Sequence, residues 1–248
     1  MCGIALGVWH HEDTQPHDAW ASVINQIQRR GRDACDSVAG TQNGTRWELH
    51  ASVLCLRGKE LTPQPITSQD GHLHLAWNGQ IFSSEHEDDP LLDMEKNDGA
   101  IIMTRLEEHA DQIPDVLIST LSAVDGPYAF VLVDTRNTCV YYGRDPLGRR
   151  SLLHTTTHGA WHLASVSGAA WETHWKEVDC DALWQVTLGQ APVRIPRHIS
   201  RFFLRAPCDD VPDHAALVPD LHAVLSESVR QRCLLYTSPS PRDVEESR

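Results

Sequence analysis

The sequence predicts an α+β fold in which two β-sheets pack face to face and helices cover their outer surfaces. Three observations predict it. Short apolar, β-branched or aromatic runs bounded by turn residues recur from Ile4 to Leu188. Two helical regions, with apolar residues spaced to share one helical face, interrupt those runs. Several junctions carry hairpin residues, among them Asn43-Gly44.

Taken in order, Ile4, Leu6 and Val8 alternate as a first strand that anchors the N-terminus. A helix begins at Asp18 and turns Trp20, Val23, Ile24 and Ile27 toward a core. Arg29 and Arg30 are expected in its last turn, complementing the helix dipole, and Gly31 stops it. Strands follow around Asn43-Gly44, reaching residue 56, and again over 72–77, which run into Asn78-Gly79. Asn-Gly is an ordinary turn pair, so a turn at 78–79 is one reading.

The acidic stretch 85–90 reads as a solvated loop. Asp98 is placed to cap a helix carrying Ile101, Ile102 and Leu106, and a second helix covers 113–122. Strands at 128–134 and 138–142 form a hairpin, and 143–148 reads as a structural corner. Further strands are expected at 151–154 and 161–165, then a hairpin of 183–188 and 192–195 around Gly189, with another strand at 201–204. A last helix over 217–235 carries Leu221, Val224, Leu225 and Val229 as an apolar stripe. These elements divide into a domain over 2–188, a hairpin and linker over 189–216, the helix 217–235, and a Ser/Pro-rich tail over 236–248 expected to be disordered and non-native.

Composition narrows the function. A formal net charge of -13 opposes nucleic acid and anionic membrane surfaces as partners. No window approaches the roughly twenty apolar residues of a membrane span, and no signal peptide is visible, so a cytoplasmic protein is expected. Seven cysteines without a CxxC pair read as reduced thiols, six of them structural, and the 15 histidines form no zinc framework. No metal site is expected.

The remaining signal is Cys2 directly behind Met1. Cysteine is small enough for removal of the initiator to be expected, and the new terminus would hold a nucleophile and its base on one residue. The thiol attacks, and an α-amine of pKa about 7.7–8.0 exchanges the proton.

Met1-Cys2-Gly3-Ile4, Arg30-Gly31-Arg32-Asp33, Leu56-Arg57, Gln64-Pro65-Ile66, Trp77-Asn78-Gly79-Gln80-Ile81, Asn97-Asp98, Asp125-Gly126-Pro127-Tyr128-Ala129-Phe130 and the stretch 143–150 occur in one order. That order resembles class II glutamine amidotransferase domains of the asparagine synthetase family, which are N-terminal-nucleophile hydrolases with a four-layer αββα sandwich. The resemblance implies hydrolysis of glutamine through a Cys2 thioester, releasing ammonia. It implies an oxyanion hole from the Asn78 side chain and the Gly79 N–H, with glycine allowing close approach. It implies Arg57 on the substrate carboxylate, as a fork, and Asp98 on the ammonium.

Two positions depart from the family pattern. Gln80 stands where the family has glutamate, which removes a negative charge beside the substrate ammonium and lowers the expected affinity for glutamine. Arg32 replaces a proline. The chain itself needs no cofactor by this reading. ATP and magnesium are implied only for a covalently linked synthetase domain, whose Ser-Gly-Gly-x-Asp-Ser loop this sequence lacks and toward which the helix 217–235 leads. Two alternatives stand beside the glutaminase: an interaction or regulatory module that keeps the fold without activity, and an amidotransferase for another acceptor such as a sugar phosphate.

Overall fold

The computed structural model describes residues 1–9, 18–57, 60–85, 88–93, 95–157, 160–168, 174–197 and 214–233. The strand expected at 201–204 and the tail from 236 lie outside them. The chain divides into two units, Met1–Ser200 and Arg201–Arg248.

In the first unit, β1 (Gly3–Trp9) lies inside a six-stranded antiparallel sheet. Helix α1 (Asp18–Gln28) follows, then β2 (Ala34–Gln42) and β3 (Thr45–Val53). Asn43 and Gly44 join β2 to β3 with φ of 51° and 72°, the positive values a two-residue hairpin turn needs. Short β4 (Ile66–Thr67) pairs with β5 (Leu73–Gly79) in a second six-stranded sheet. Two-residue strands β6 (Ser83–Ser84) and β7 (Val124–Asp125) pair with each other, flanking α2 (Asp98–Glu108) and α3 (Ile113–Ala123). The second sheet is completed by β8 (Tyr128–Asp134), β9 (Cys139–Arg144), β13 (Ala182–Thr187) and β14 (Val193–Pro196). The first sheet is completed by β10 (Leu153–Thr157), β11 (Ala160–Ala164) and β12 (Lys176–Glu177).

The alternation in β1 decides the layering. Ile4, Leu6 and Val8 pack between the sheets with Leu49, Val131 and Val140, while Ala5 and Trp9 turn outward onto Trp20, Val23 and Ile27 of α1. The second sheet does the same: Leu75, Trp77 and Phe130 face Ile102, Leu106, Leu117 and Leu121 of α2 and α3. The result is the four-layer αββα sandwich expected from the sequence. Burying a side chain of Leu, Ile or Val in such layers contributes about 1.5–3 kcal/mol.

Several expectations change. Helix α1 ends at Gln28, so Arg29 and Arg30 follow it instead of forming its last turn. The cap of α2 is Asn97, whose side chain accepts from the Ala100 N–H, and Asp98 is the first helical residue. Asn78-Gly79 is strand, paired with Ala129 and Tyr128. In the acidic stretch, Asp89 is buried, accepts from the Leu91 N–H at 2.8 Å and pairs with Arg105. Because β14 pairs with β13, the compact unit runs past residue 188. Cys35 and Cys55 are exposed thiols and not packed ones.

In the second unit, α4 spans His214–Cys233, starting three residues before the predicted 217, with Leu221, Val224, Leu225 and Val229 exposed. Among the described residues no helix is long and apolar enough to cross a membrane.

Candidate active site

The N-terminus is fixed by close packing. A Cβ on Gly3 would lie 2.6 Å from both Ile27 O and Ser52 Oγ, so only glycine lets β1 begin between α1 and β3. Next to it, the Ile4 N–H donates to Ser165 Oγ at 3.1 Å and the Ser165 N–H to Ile4 O at 2.8 Å. Arg30 reaches back from the turn after α1, with Nε donating to Cys2 O at 3.1 Å and a terminal nitrogen to Ser151 Oγ at 3.4 Å. Its place is thus a tie on the main chain of Cys2, not a helix-dipole charge.

Cys2 Sγ lies against the chain leaving β3, accepting from the Leu54 N–H at 3.5 Å and lying 3.7 Å from Leu54 O. Burial pushes the thiol pKa up, opposed by the Leu54 N–H. Burial also lowers the pKa of the Met1 amine.

The facing wall comes from the second sheet and α2. Asn78 is the penultimate residue of β5, buried, with its Nδ2 lacking an acceptor. Gly79 is required by its own sheet, since a Cβ there would lie 2.7 Å from Tyr128 Cβ and 2.9 Å from Pro127 O. That packing, instead of approach to a substrate, accounts for the glycine. Buried Gln80 follows, its N–H donating to Pro127 O at 3.0 Å.

Asp98 is buried and accepts from the Ile81 and Gly99 N–H groups, each at 3.1 Å. Burial raises its pKa, against the pull of Arg57, those N–H groups and Trp77. Arg57 lies 3.7 Å away. The fork of Arg57 is turned to main chain: one terminal nitrogen donates to Ile81 O at 3.0 Å, the other to Leu91 O and to Asp93 O at 3.0 Å. Only Nε is left, buried and without an acceptor.

Cys2, Arg57, Asn78, Gly79, Gln80 and Asp98 all line one cavity of about 30 Å³. Leu54, Gln64, Trp77 and Arg150 share the lining. Among them Gln64 is signalled by the Gln-Pro motif, its side chain accepting from the Trp77 N–H at 2.7 Å. Arg150 ends the 143–150 motif, to which the sequence assigns no role at the site. Larger clefts of about 420, 430 and 530 Å³ open along α2 and α3. None of their lining residues has a buried side-chain polar atom left unpartnered, whereas the small cavity has Arg57 Nε, Trp77 Nε1, Asn78 Nδ2 and Arg150 Nε. Buried polar groups are normally paired, so four unpaired donors around one thiol mark a candidate site for an acceptor from outside.

Residues 1–205 match the family described as the glutamine amidotransferase domain. The chain belongs to that family. This amidotransferase domain is 30% identical over 197 residues to asparagine synthetase domain-containing protein 1 of Bos taurus, covering 78% of this chain and 29% of the relative. It is 30% identical over 194 residues to the protein of the same name from Homo sapiens, covering 76% and 28%. It is also 33% identical over 152 residues to the glutamine-hydrolyzing asparagine synthetase of Asparagus officinalis, covering 60% and 24%. The chain thus spans less than a third of the length of these relatives. Among solved structures, the glutamine phosphoribosylpyrophosphate amidotransferase of B. subtilis has the same fold, with a TM-score of 0.57 at 17% identity over 79% of this chain and 50% of that one.

Proposed function

We propose that this domain, once Met1 is removed, hydrolyses glutamine to glutamate and ammonia as the glutaminase half of a cytoplasmic asparagine-synthetase-like protein. The observation that carries the reading is the meeting of Cys2 with the unpaired donors Asn78 Nδ2 and Arg57 Nε on one cavity.

In this reading the amine of Cys2 takes the thiol proton and Sγ attacks the side-chain amide carbon of glutamine. The carbonyl π pair moves onto oxygen, and Asn78 Nδ2 with the Gly79 N–H stabilises that oxyanion. Collapse re-forms the C=O, breaks the C–N bond and sends the proton to the departing ammonia. Water then cleaves the γ-glutamyl thioester, regenerating the thiol. Arg57 offers its Nε–H and charge to the α-carboxylate, and Asp98 faces the ammonium with Gln80 beside it. The names of the similar asparagine synthetases suggest a linked asparagine-forming domain as the destination of the ammonia.

The test is release of glutamate and ammonia by the chain beginning at Cys2, measured beside Cys2→Ala. The domain turns over and the variant does not; equal rates in both overturn the proposal. One observation favours a second reading, a non-catalytic module: with Met1 in place the cavity of about 30 Å³ has room for only about two waters. Intact mass separates the two, since a retained Met1 leaves no Cys2 amine to act as base.

A further inference from the structure

Arg150 is the one charged group of the cavity that the proposed reaction does not use. It lines the cavity with Met1 and Cys2, and its Nε is buried without an acceptor. Its neighbours along the chain are paired: Arg144 with Glu177 at 2.9 Å, and Arg149 with Asp125 and Asp145, each at 2.9 Å. Among the described residues no carboxylate pairs with Arg150.

The base of this side chain is nonetheless firmly held. Arg144 Nε donates to Arg150 O at 2.7 Å, and Ser151 Oγ donates to Ser165 O at 2.7 Å. Arg30 bonds both Ser151 Oγ and Cys2 O, so one network moors the main chain of the nucleophile and that of Arg150. A partly buried guanidinium without a counter-charge is unfavourable unless an anion forms beside it. Apart from Asp98, which Arg57 faces, the thiol of Cys2 is the lining group that becomes anionic when it gives up its proton.

We propose that Arg150 is a positioning residue for the nucleophile, its positive charge favouring the thiolate of Cys2 and the neutral form of the N-terminal amine. The inference rests on the reading of Cys2 as nucleophile. It accounts for an unpaired cation at the one place where a buried thiol must ionise.

The other charges facing this pair are Arg30 after α1, Asp33 before β2 and Asp98 at the start of α2. In the chain with Met1 present, burial and then Arg30 and Arg150 lower the pKa of the Met1 amine, against Cys2 and Asp33. On the thiol, burial and Asp98 raise the pKa, and Arg150 acts with the amine and the Leu54 N–H to oppose them. On the Cys2 thiol Arg150 therefore works in the direction the chemistry needs, and its effect on the Met1 amine has the sign that the Cys2 amine requires once Met1 is gone.

The experiment is the pH profile of iodoacetamide alkylation at Cys2, read by peptide mass in the chain beginning at Cys2, for wild type, Arg150→Met, Arg150→Gln and Arg150→Lys. Alkylation reports the thiolate without needing glutamine turnover. In Met or Gln, whichever folds, the midpoint moves to higher pH, and alkylation at pH 7 slows by about tenfold for every pH unit the midpoint climbs, while Lys restores most of the rate. An unchanged midpoint in a folded Met or Gln variant overturns the proposal. A raised midpoint in a chain that does not hydrolyse glutamine would refute the proposed reaction and leave the role of Arg150 standing. Hydrolysis with an unchanged midpoint would do the reverse.

Discussion

Two buried arginine–aspartate groupings in this domain differ in completeness. At the corner after β9, Asp145 is fully buried and both oxygens are answered. Oδ1 accepts from Leu147 N at 3.2 Å and Arg149 Nε at 2.9 Å, and Oδ2 from Tyr128 N at 3.2 Å and Arg149 N at 2.9 Å. At the cavity, Asp98 and Arg57 stand 3.7 Å apart, and Arg57 Nε and Asn78 Nδ2 nearby have no acceptor. A saturated network holds a fold together. An unsaturated one, kept at a cost in stability, retains binding capacity for a ligand.

The comparison breaks most visibly at the corner. Asp145→Ala removes one of the two carboxylates that hold Arg149 and strands several N–H groups, so the free energy of unfolding should fall by about 3–5 kcal/mol in a urea titration. A loss below about 1 kcal/mol would mean the corner is not the saturated half.

At the cavity the effect should appear in rate instead of stability. Asn78→Ala removes a donor that has no partner in the fold. Glutamine hydrolysis should fall about 10²–10³-fold, with unfolding free energy changed by no more than about 1 kcal/mol. Equal losses in rate and stability would make Asn78 a packing residue.

The smallest effect sharpens the contrast between the two aspartates. Burial raises the Asp98 pKa, so the native state holds a proton that the unfolded state has lost. Stability therefore falls as pH rises from the ordinary carboxylate range up through the folded pKa. Asp98→Asn should be neutral or stabilising by up to about 1 kcal/mol at pH 7, with the difference from wild type shrinking as pH is lowered through that window. Thermal melts across pH check it, and a destabilised Asp98→Asn at pH 7 would put the two aspartates in one class.

The layers were legible because apolar runs and helical stripes are local properties. Ile4, Leu6 and Val8, or Ile102 and Leu106, declare which face is buried without reference to distant residues. What local sequence leaves open is the use of a dipeptide or a charge. Asn43-Gly44 and Asn78-Gly79 read alike, yet one is a turn and the other is drawn into strand by pairing with Ala129 and Tyr128. Asp89 reads as solvated until Arg105 from α2 meets it. Arg30 reads as a helix-end charge until the fold brings Cys2 O within 3.1 Å.

The candidate site was legible as an ordered set of motifs, and all six residues chosen from them line one cavity. The orientation of Arg57 was not, since it depends on carbonyls of Ile81, Leu91 and Asp93 that no residue type advertises. Leu54 and Arg150 were missed for the same reason. One acts through its main chain, and the other is placed by a network that spans both ends of the unit.

The most direct test of Cys2 as the centre of this site is an acid-quenched mass measurement of the chain beginning at Cys2, mixed with glutamine. A γ-glutamyl adduct on the Cys2 peptide, absent from Cys2→Ala and accompanied by ammonia release, is the predicted result. Neither adduct nor ammonia from the folded, processed chain would contradict the account.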